Sequence, residues 1–193
     1  MVKENFIFEL KREVLHILFG MAIILSVMFY DNTMWLLFFA VIAGAILCFF
    51  SLYIKIPVIY YLLSKFERPK YMKTFPGKGA LFYFAGCLLA LKLFRQDIAL
   101  ASIAVLVFGD SFSHLFGKLL KHKEKEIESA AIGIITATIA ASFFVSPLFA
   151  FIGSCIAMAV EFIGLKLGQD NVDDNFFIPL VAGTVIYMLF KFI

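Results

Sequence analysis

The chain has 193 residues, 63% of them hydrophobic and 25 of them Phe, and its net charge is +3 at pH 7. A water-soluble domain of this size cannot hide so much apolar surface, so an ordinary soluble globule is excluded and the solvent is expected to be a bilayer. The modest positive charge lies between the apolar tracts, which suits anionic headgroups or an anionic substrate and excludes a nucleic-acid platform.

A lipid-embedded segment must satisfy its backbone internally, and the apolar tracts lack the polar-in, apolar-out alternation of barrel strands, so an all-α fold follows. The charged start MVKENFIFELKRE leads into a first predicted span at 14–30. It is read as a retained helix because MFYDNT beyond it has no small-residue cleavage pattern. Glu9, Arg12, His16 and Gly20 follow an i, i+3, i+7, i+11 progression, which lines one stripe of that helix with acid, guanidinium and imidazole. Such a stripe is either a salt-bridged helix start or one wall of a site. A second span is predicted at 34–54. PVIYYLLSKFER, residues 57–68, is apolar but short and is stopped by Pro69, as an interfacial helix would be.

Pro76-Gly77-Lys78-Gly79 immediately precedes the third predicted span, 80–94. Backbone amides around two glycines, a lysine and a helix N-terminus suit phosphate oxygens, although Pro-Gly is also an ordinary turn. The fourth span, 98–118, carries Asp110. The twelve residues between Asp97 and Asp110 cover about 18 Å as helix, short of the roughly 30 Å of hydrocarbon, so this acid lies within the membrane's thickness. Its polar stripe continues through His114, Gly117, Lys118 and Lys121. Spans at 128–145 and 148–165 flank a Ser146-Pro147 turn, and the second of them brings Glu161 to a similar depth. Intramembrane acids cost several kcal/mol and are by default partnered, functional groups, so Asp110 and Glu161 are the first candidates for a metal or substrate site. GQDNVDDNFFIPL packs Asp170, Asp173, Asp174 and Asn175 ahead of the last span, 176–192; oxygen ligands so grouped suit Mg²⁺ on phosphates or a solvated acidic loop. Cys48, Cys87 and Cys155 all fall inside apolar tracts with no metal-ligand spacing.

The expectation is a polytopic integral membrane protein of about seven transmembrane helices plus a short interfacial helix, in one catalytic domain covering 1–193. Of the 17 Lys and Arg residues, 14 fall in the N-terminal segment and alternate loops and three on the opposite side. That asymmetry predicts a cytosolic N-terminus and puts every polar cluster on the cytosolic face of a cell or ER-type membrane. The chain has no GxxxxGK[ST] loop, protein-kinase motif set, HExxH or GxSxG elbow, so any phosphate handling is of another kind.

Four elements, in order, carry a family likeness: Arg12-Glu13-Val14-Leu15-His16; Gly109-Asp110 with Gly117; KEIESAAIG at 125–133; and Glu161 followed by Asp174-Asn175-Phe176-Phe177-Ile178-Pro179-Leu180. In these the chain resembles the CTP-dependent lipid kinases, namely dolichol kinase, yeast-type diacylglycerol kinase and phytol kinase, which are related to the CDP-diacylglycerol synthases. It departs from the family pattern at Glu13, Glu126 and Ser129, where lysine, serine and glycine are usual, and it lacks the synthase-type Asp-Arg-x-Asp-Ser signature.

The resemblance implies phosphorylation of a membrane lipid alcohol, of polyprenol or diradylglycerol type, with CTP as donor and Mg²⁺ as cofactor. Asp110, His16 and Glu161 would be the catalytic groups, and Asp110, Glu161, Asp173 and Asp174 the metal ligands. Arg12, Lys78, Gly109, Gly117, Lys118 and Lys125 would meet the nucleotide. A homodimer is compatible with this reading. Two alternatives fit the same acids: a CDP-lipid synthase, and a transporter coupled through them. Transport is the poorer fit, because the outer half offers little beyond Asp31, Arg95 and Asp97.

Overall fold

The structure, a computed structural model, describes residues 2–67, 71–119, 125–163, 166–167, 170–171 and 173–192, with side chains within 6–67, 71–119, 127–163 and 173–192. It is a helical bundle. The first two helices, α1 (Val2–Phe29) and α2 (Thr33–Tyr53), form a hairpin whose turn is closed by the Thr33 hydroxyl, which donates to the Tyr30 carbonyl at 2.7 Å. The short α3 (Pro57–Phe66) begins at a proline, whose missing N–H costs nothing in a first helical turn. α4 (Lys78–Leu93) starts after Gly77, whose φ of 82° is a left-handed conformation open to glycine.

α5 (Gln96–Ala104) runs through a π-helical turn, Val105–Asp110, into α6 (Ser111–Leu119), and the three make one continuous rod. Every residue from Ile98 to Val107 is buried, and α1, α4, α7 (Lys125–Ala141), α8 (Pro147–Ile163) and α9 (Asp174–Phe192) all pack against the rod. Two-residue strands, β1 (Lys166–Leu167) and β2 (Asp170–Asn171), pair antiparallel between α8 and α9, an element not expected from the sequence.

Among the described residues, four helical stretches are long and apolar enough to cross a membrane: Phe6–Phe29, Thr33–Tyr53, Gln96–Leu119 and Asp174–Phe192. Ile127–Ala141 and Pro147–Ile163 are apolar but shorter. Large apolar side chains face outward all round, Phe29, Phe143 and Ile163 among them, which is the surface of a protein whose solvent is hydrocarbon.

The first predicted span is too short. Its helix begins at residue 2, because the charged start continues the same helical stripe into Arg12 and Glu13. The fifth, expected over 128–145, starts three residues earlier, at Lys125, and ends four residues earlier, at Ala141, leaving through a turn at Phe143 and Phe144. The remaining boundaries agree to within two residues.

Within α9, Pro179 lacks the N–H that would bond the Asn175 carbonyl. α4 passes close to that carbonyl at Gly86, where a Cβ would lie 2.5 Å from the oxygen. The rod meets α7 through a second close approach: a Cβ on Gly133 would lie 2.8 Å from the Gly109 carbonyl oxygen.

Candidate functional site

The polar stripe of α1 turns inward against the rod. Arg12 binds two acids at once, Glu9 at 2.9 Å and Glu13 at 2.8 Å, and the Glu13 side chain has no exposure at all. One turn on, the His16 ring stands edge-on to Tyr83 of α4 with centroids 4.2 Å apart, and the Tyr83 hydroxyl donates to the His16 backbone carbonyl at 3.0 Å. Gly20 makes this approach possible, because a Cβ there would collide with Val107 and the Tyr83 hydroxyl.

Asp110, 3% exposed, closes the π-helical turn. Inserting a π turn displaces backbone carbonyls from the regular α ladder, and such turns are frequent at functional sites. Here the Phe108 carbonyl accepts a hydrogen bond from the Thr136 hydroxyl of α7 at 3.2 Å. The Asp110 carboxylate then reaches two imidazoles: His114 Nδ1 lies 2.9 Å from Oδ1 and His16 Nδ1 lies 3.7 Å from Oδ2. His114 Nδ1 is also 3.0 Å from the Asp110 backbone carbonyl, so one ring nitrogen serves both oxygens.

Glu161 approaches from α8, and its Oε2 is buried with no hydrogen-bond partner among the described residues. Glu13 Oε2 and His16 Nε2 are in the same condition. Among the described residues, two sets of ligand atoms each fall within 4.8 Å of one another, Glu13–His16–Asp110 and Asp110–His114–Glu161, with Asp110 common to both. Buried carboxylate oxygens left unpaired are costly, and a bound cation is what such a donor set accommodates.

Helix α1 thus brings His16 to Asp110, and α8 adds Glu161. Asp173 and Asp174 at the start of α9 join neither set. Instead Asn175 donates to Asp173 Oδ1 at 2.9 Å, and the Asp173 carbonyl accepts the Phe176 N–H at 3.0 Å. Burial pushes the Asp173 carboxyl above its ordinary range, opposed by the Asn175 bond and by the Lys78 charge, while Asp110 raises it further. Lys78 itself lies 5.1 Å from the Tyr71 ring centroid and 5.6 Å from that of Phe82.

Of the remaining candidates, Gly109 is packed on Met158 and Ala137, so protein already fills that face. Gly117 faces Ser129, and Lys118 is exposed on α6. The side chain of Lys125 lies outside the described residues, as do those of Lys121 and Asp170.

Three contributors were not singled out as site residues from the sequence. Glu13 stood only as a departure from the family pattern, although it lies three residues before His16 on the same stripe. His114 was noted as helix polarity, and its i+4 spacing from Asp110 was the available signal. Tyr83 gave no sequence signal.

No protein-family model matches the chain, and no solved structure matches it. The chain is 29% identical over 181 residues to an uncharacterized protein of Methanocaldococcus jannaschii, covering 92% of each chain. It is 25% identical over 211 residues to a probable chloroplastic phytol kinase of Oryza sativa subsp. japonica, covering 95% of this chain and 65% of that one. The chain is therefore a helical membrane protein with a buried acid and imidazole centre. Its distant similarity to a phytol kinase suggests a lipid kinase family.

Proposed function

We propose that this protein is a CTP-dependent lipid kinase, which transfers the terminal phosphoryl group of CTP to the hydroxyl of a membrane alcohol of polyprenol or diradylglycerol type. The observation that carries the reading is Asp110, buried within the longest-buried apolar rod of the bundle yet surrounded by His16, His114, Glu13 and Glu161. The similarity to a phytol kinase supplies the reaction class. In this reading seven helices span the bilayer, α3 lies in the interface, and the N-terminus and centre face the cytosol. A lipid hydroxyl sits near that interface, while the nucleotide arrives from water.

The lipid hydroxyl oxygen attacks the terminal phosphorus, the bond to the bridging oxygen of CTP breaks, and CDP leaves with that electron pair. Asp110, steered by His16 and His114, takes the hydroxyl proton. Asp110, Glu161, Asp173 and Asp174 would hold Mg²⁺, which when bound would offset charge on the triphosphate. Lys78 and Lys118 supply mobile cations for the phosphates. Arg12, already shared by Glu9 and Glu13, orients Glu13.

The test is incubation of purified protein with γ-labelled CTP and native lipid extract. Label in lipid supports the kinase. Label released as pyrophosphate favours the synthase chemistry, and solute movement in vesicles without nucleotide, lost in Asp110→Asn, favours a transporter; either result overturns the proposal.

A further inference from the structure

We infer that Glu13, His16 and Asp110 form a divalent transition-metal site with mixed oxygen and nitrogen ligands, distinct from the Asp110–His114–Glu161 set although Asp110 belongs to both. Each set holds a buried glutamate oxygen without a hydrogen-bond partner among the described residues, and the two differ in how their imidazole nitrogens are occupied. His114 Nδ1 is committed to Asp110, at 2.9 Å from the carboxylate and 3.0 Å from the backbone carbonyl. His16 Nδ1 is 3.7 Å from Asp110 Oδ2, too far for a hydrogen bond. That separation is close to the ~3.3 Å between two ligands held tetrahedrally at about 2.0–2.1 Å from one ion.

Glu13 completes the set. Arg12 occupies its Oε1 at 2.8 Å, while Oε2 is buried with no hydrogen-bond partner among the described residues. Two carboxylates close together in a dry interior repel, and a single cation between them answers both that repulsion and the unsatisfied Glu13 oxygen. The supports resemble the outer partners of metal ligands: Arg12 fixes Glu13, and Tyr83 fixes the His16 ring and backbone.

The donor set also selects the ion. Mg²⁺ prefers six oxygens and retains several waters, which a side chain with no exposure and an imidazole do not provide. Imidazole with carboxylates suits Mn²⁺, Fe²⁺, Co²⁺ or Zn²⁺.

Binding is read without turnover, so the result stands apart from whether the protein transfers a phosphoryl group. Purified protein in detergent is stripped with chelator and dialysed against Mn²⁺ or Co²⁺ in the presence of excess Mg²⁺. Bound ion per chain is then counted, and pulsed EPR of the Mn²⁺ form reads imidazole nitrogen coupling. We expect an ion retained against Mg²⁺ with nitrogen coupling. His16→Gln should abolish the coupling and weaken retention by about 100-fold or more, since loss of an outer partner alone costs 10–100-fold. Glu13→Gln should weaken retention while the remaining signal keeps its nitrogen coupling, and His114→Gln should leave the coupling in place. Coupling that survives His16→Gln, coupling lost in His114→Gln, or no ion retained by protein with wild-type helical circular dichroism would overturn the site. If Glu13→Gln does not fold, the His16→Gln comparison decides alone.

Discussion

Helix α2 and the rod formed by α5, the π turn and α6 invert the rule familiar from soluble proteins. The span within α2 has a mean hydropathy of 2.5 and is 11% buried, whereas the rod has a mean hydropathy of 1.7 and is 72% buried. The greasier helix lies outside. With hydrocarbon as solvent there is no drive to hide leucine and phenylalanine, and what needs protein around it is the polar group. The rod is central because Asp110, His114 and the carbonyls of the π turn need partners on α1, α7 and α8.

The sharpest way to break this contrast is to change one residue in each helix. Asp110→Asn is expected to lower phosphoryl transfer by about 10³-fold or more, the scale seen when a preorganised charge is lost at a reacting centre. Phe39→Leu on α2, where Phe39 is 62% exposed, should change it by less than about twofold. A radiolabel assay on both proteins at matched folding decides; a comparable loss in both would end the distinction.

A pair of glycines sharpens it in stability. Gly133→Ala sets a Cβ 2.8 Å from a backbone oxygen of the rod, and should destabilise the fold by about 1–3 kcal/mol. Gly44→Ala on α2 meets nothing nearer than the flexible end of Leu81 at 3.6 Å, so it should gain about 0.5–1 kcal/mol from helix propensity. Thermal unfolding in detergent reads both, and the two shifts should have opposite signs.

The smallest effect is expected at the margin of the site. Because burial holds the Asp173 carboxyl above its ordinary range, the folded chain favours the protonated form, and stability falls as pH rises from the ordinary aspartate range through the raised value. Asp173→Asn removes that titration. Its unfolding temperature should fall less than that of the unaltered protein between acid and neutral pH; a slope identical to the original would show that the aspartate contributes nothing.

Much of the bundle was legible because hydropathy and turn residues act locally. The boundaries of α2 follow from its apolar run, and α3 from Pro57 and Pro69. Asp110 stood out because its depth could be counted from Asp97, and Glu161 likewise from Pro147. Glu13 did not, since a charged residue among charged neighbours near a helix start looks solvated. Only packing of α1 on the rod, permitted by Gly20, takes it out of reach of solvent. Tyr83 was equally hidden, one aromatic among many until its hydroxyl is found on the His16 carbonyl. The π turn leaves composition and hydropathy untouched, and its stabilising partner, Thr136, is distant in the chain.

That turn bears on how such a centre arises. A π turn takes up one extra residue while the helix on either side keeps its phase, so removing one amino acid from within 105–109 would restore regular winding, leave α6 in register, and withdraw the displacement of the carbonyls in the turn. A hydropathy plot would scarcely register the change. Loss of a single codon there would alter the backbone lining of the centre while sparing the faces that α5 and α6 present to their neighbours.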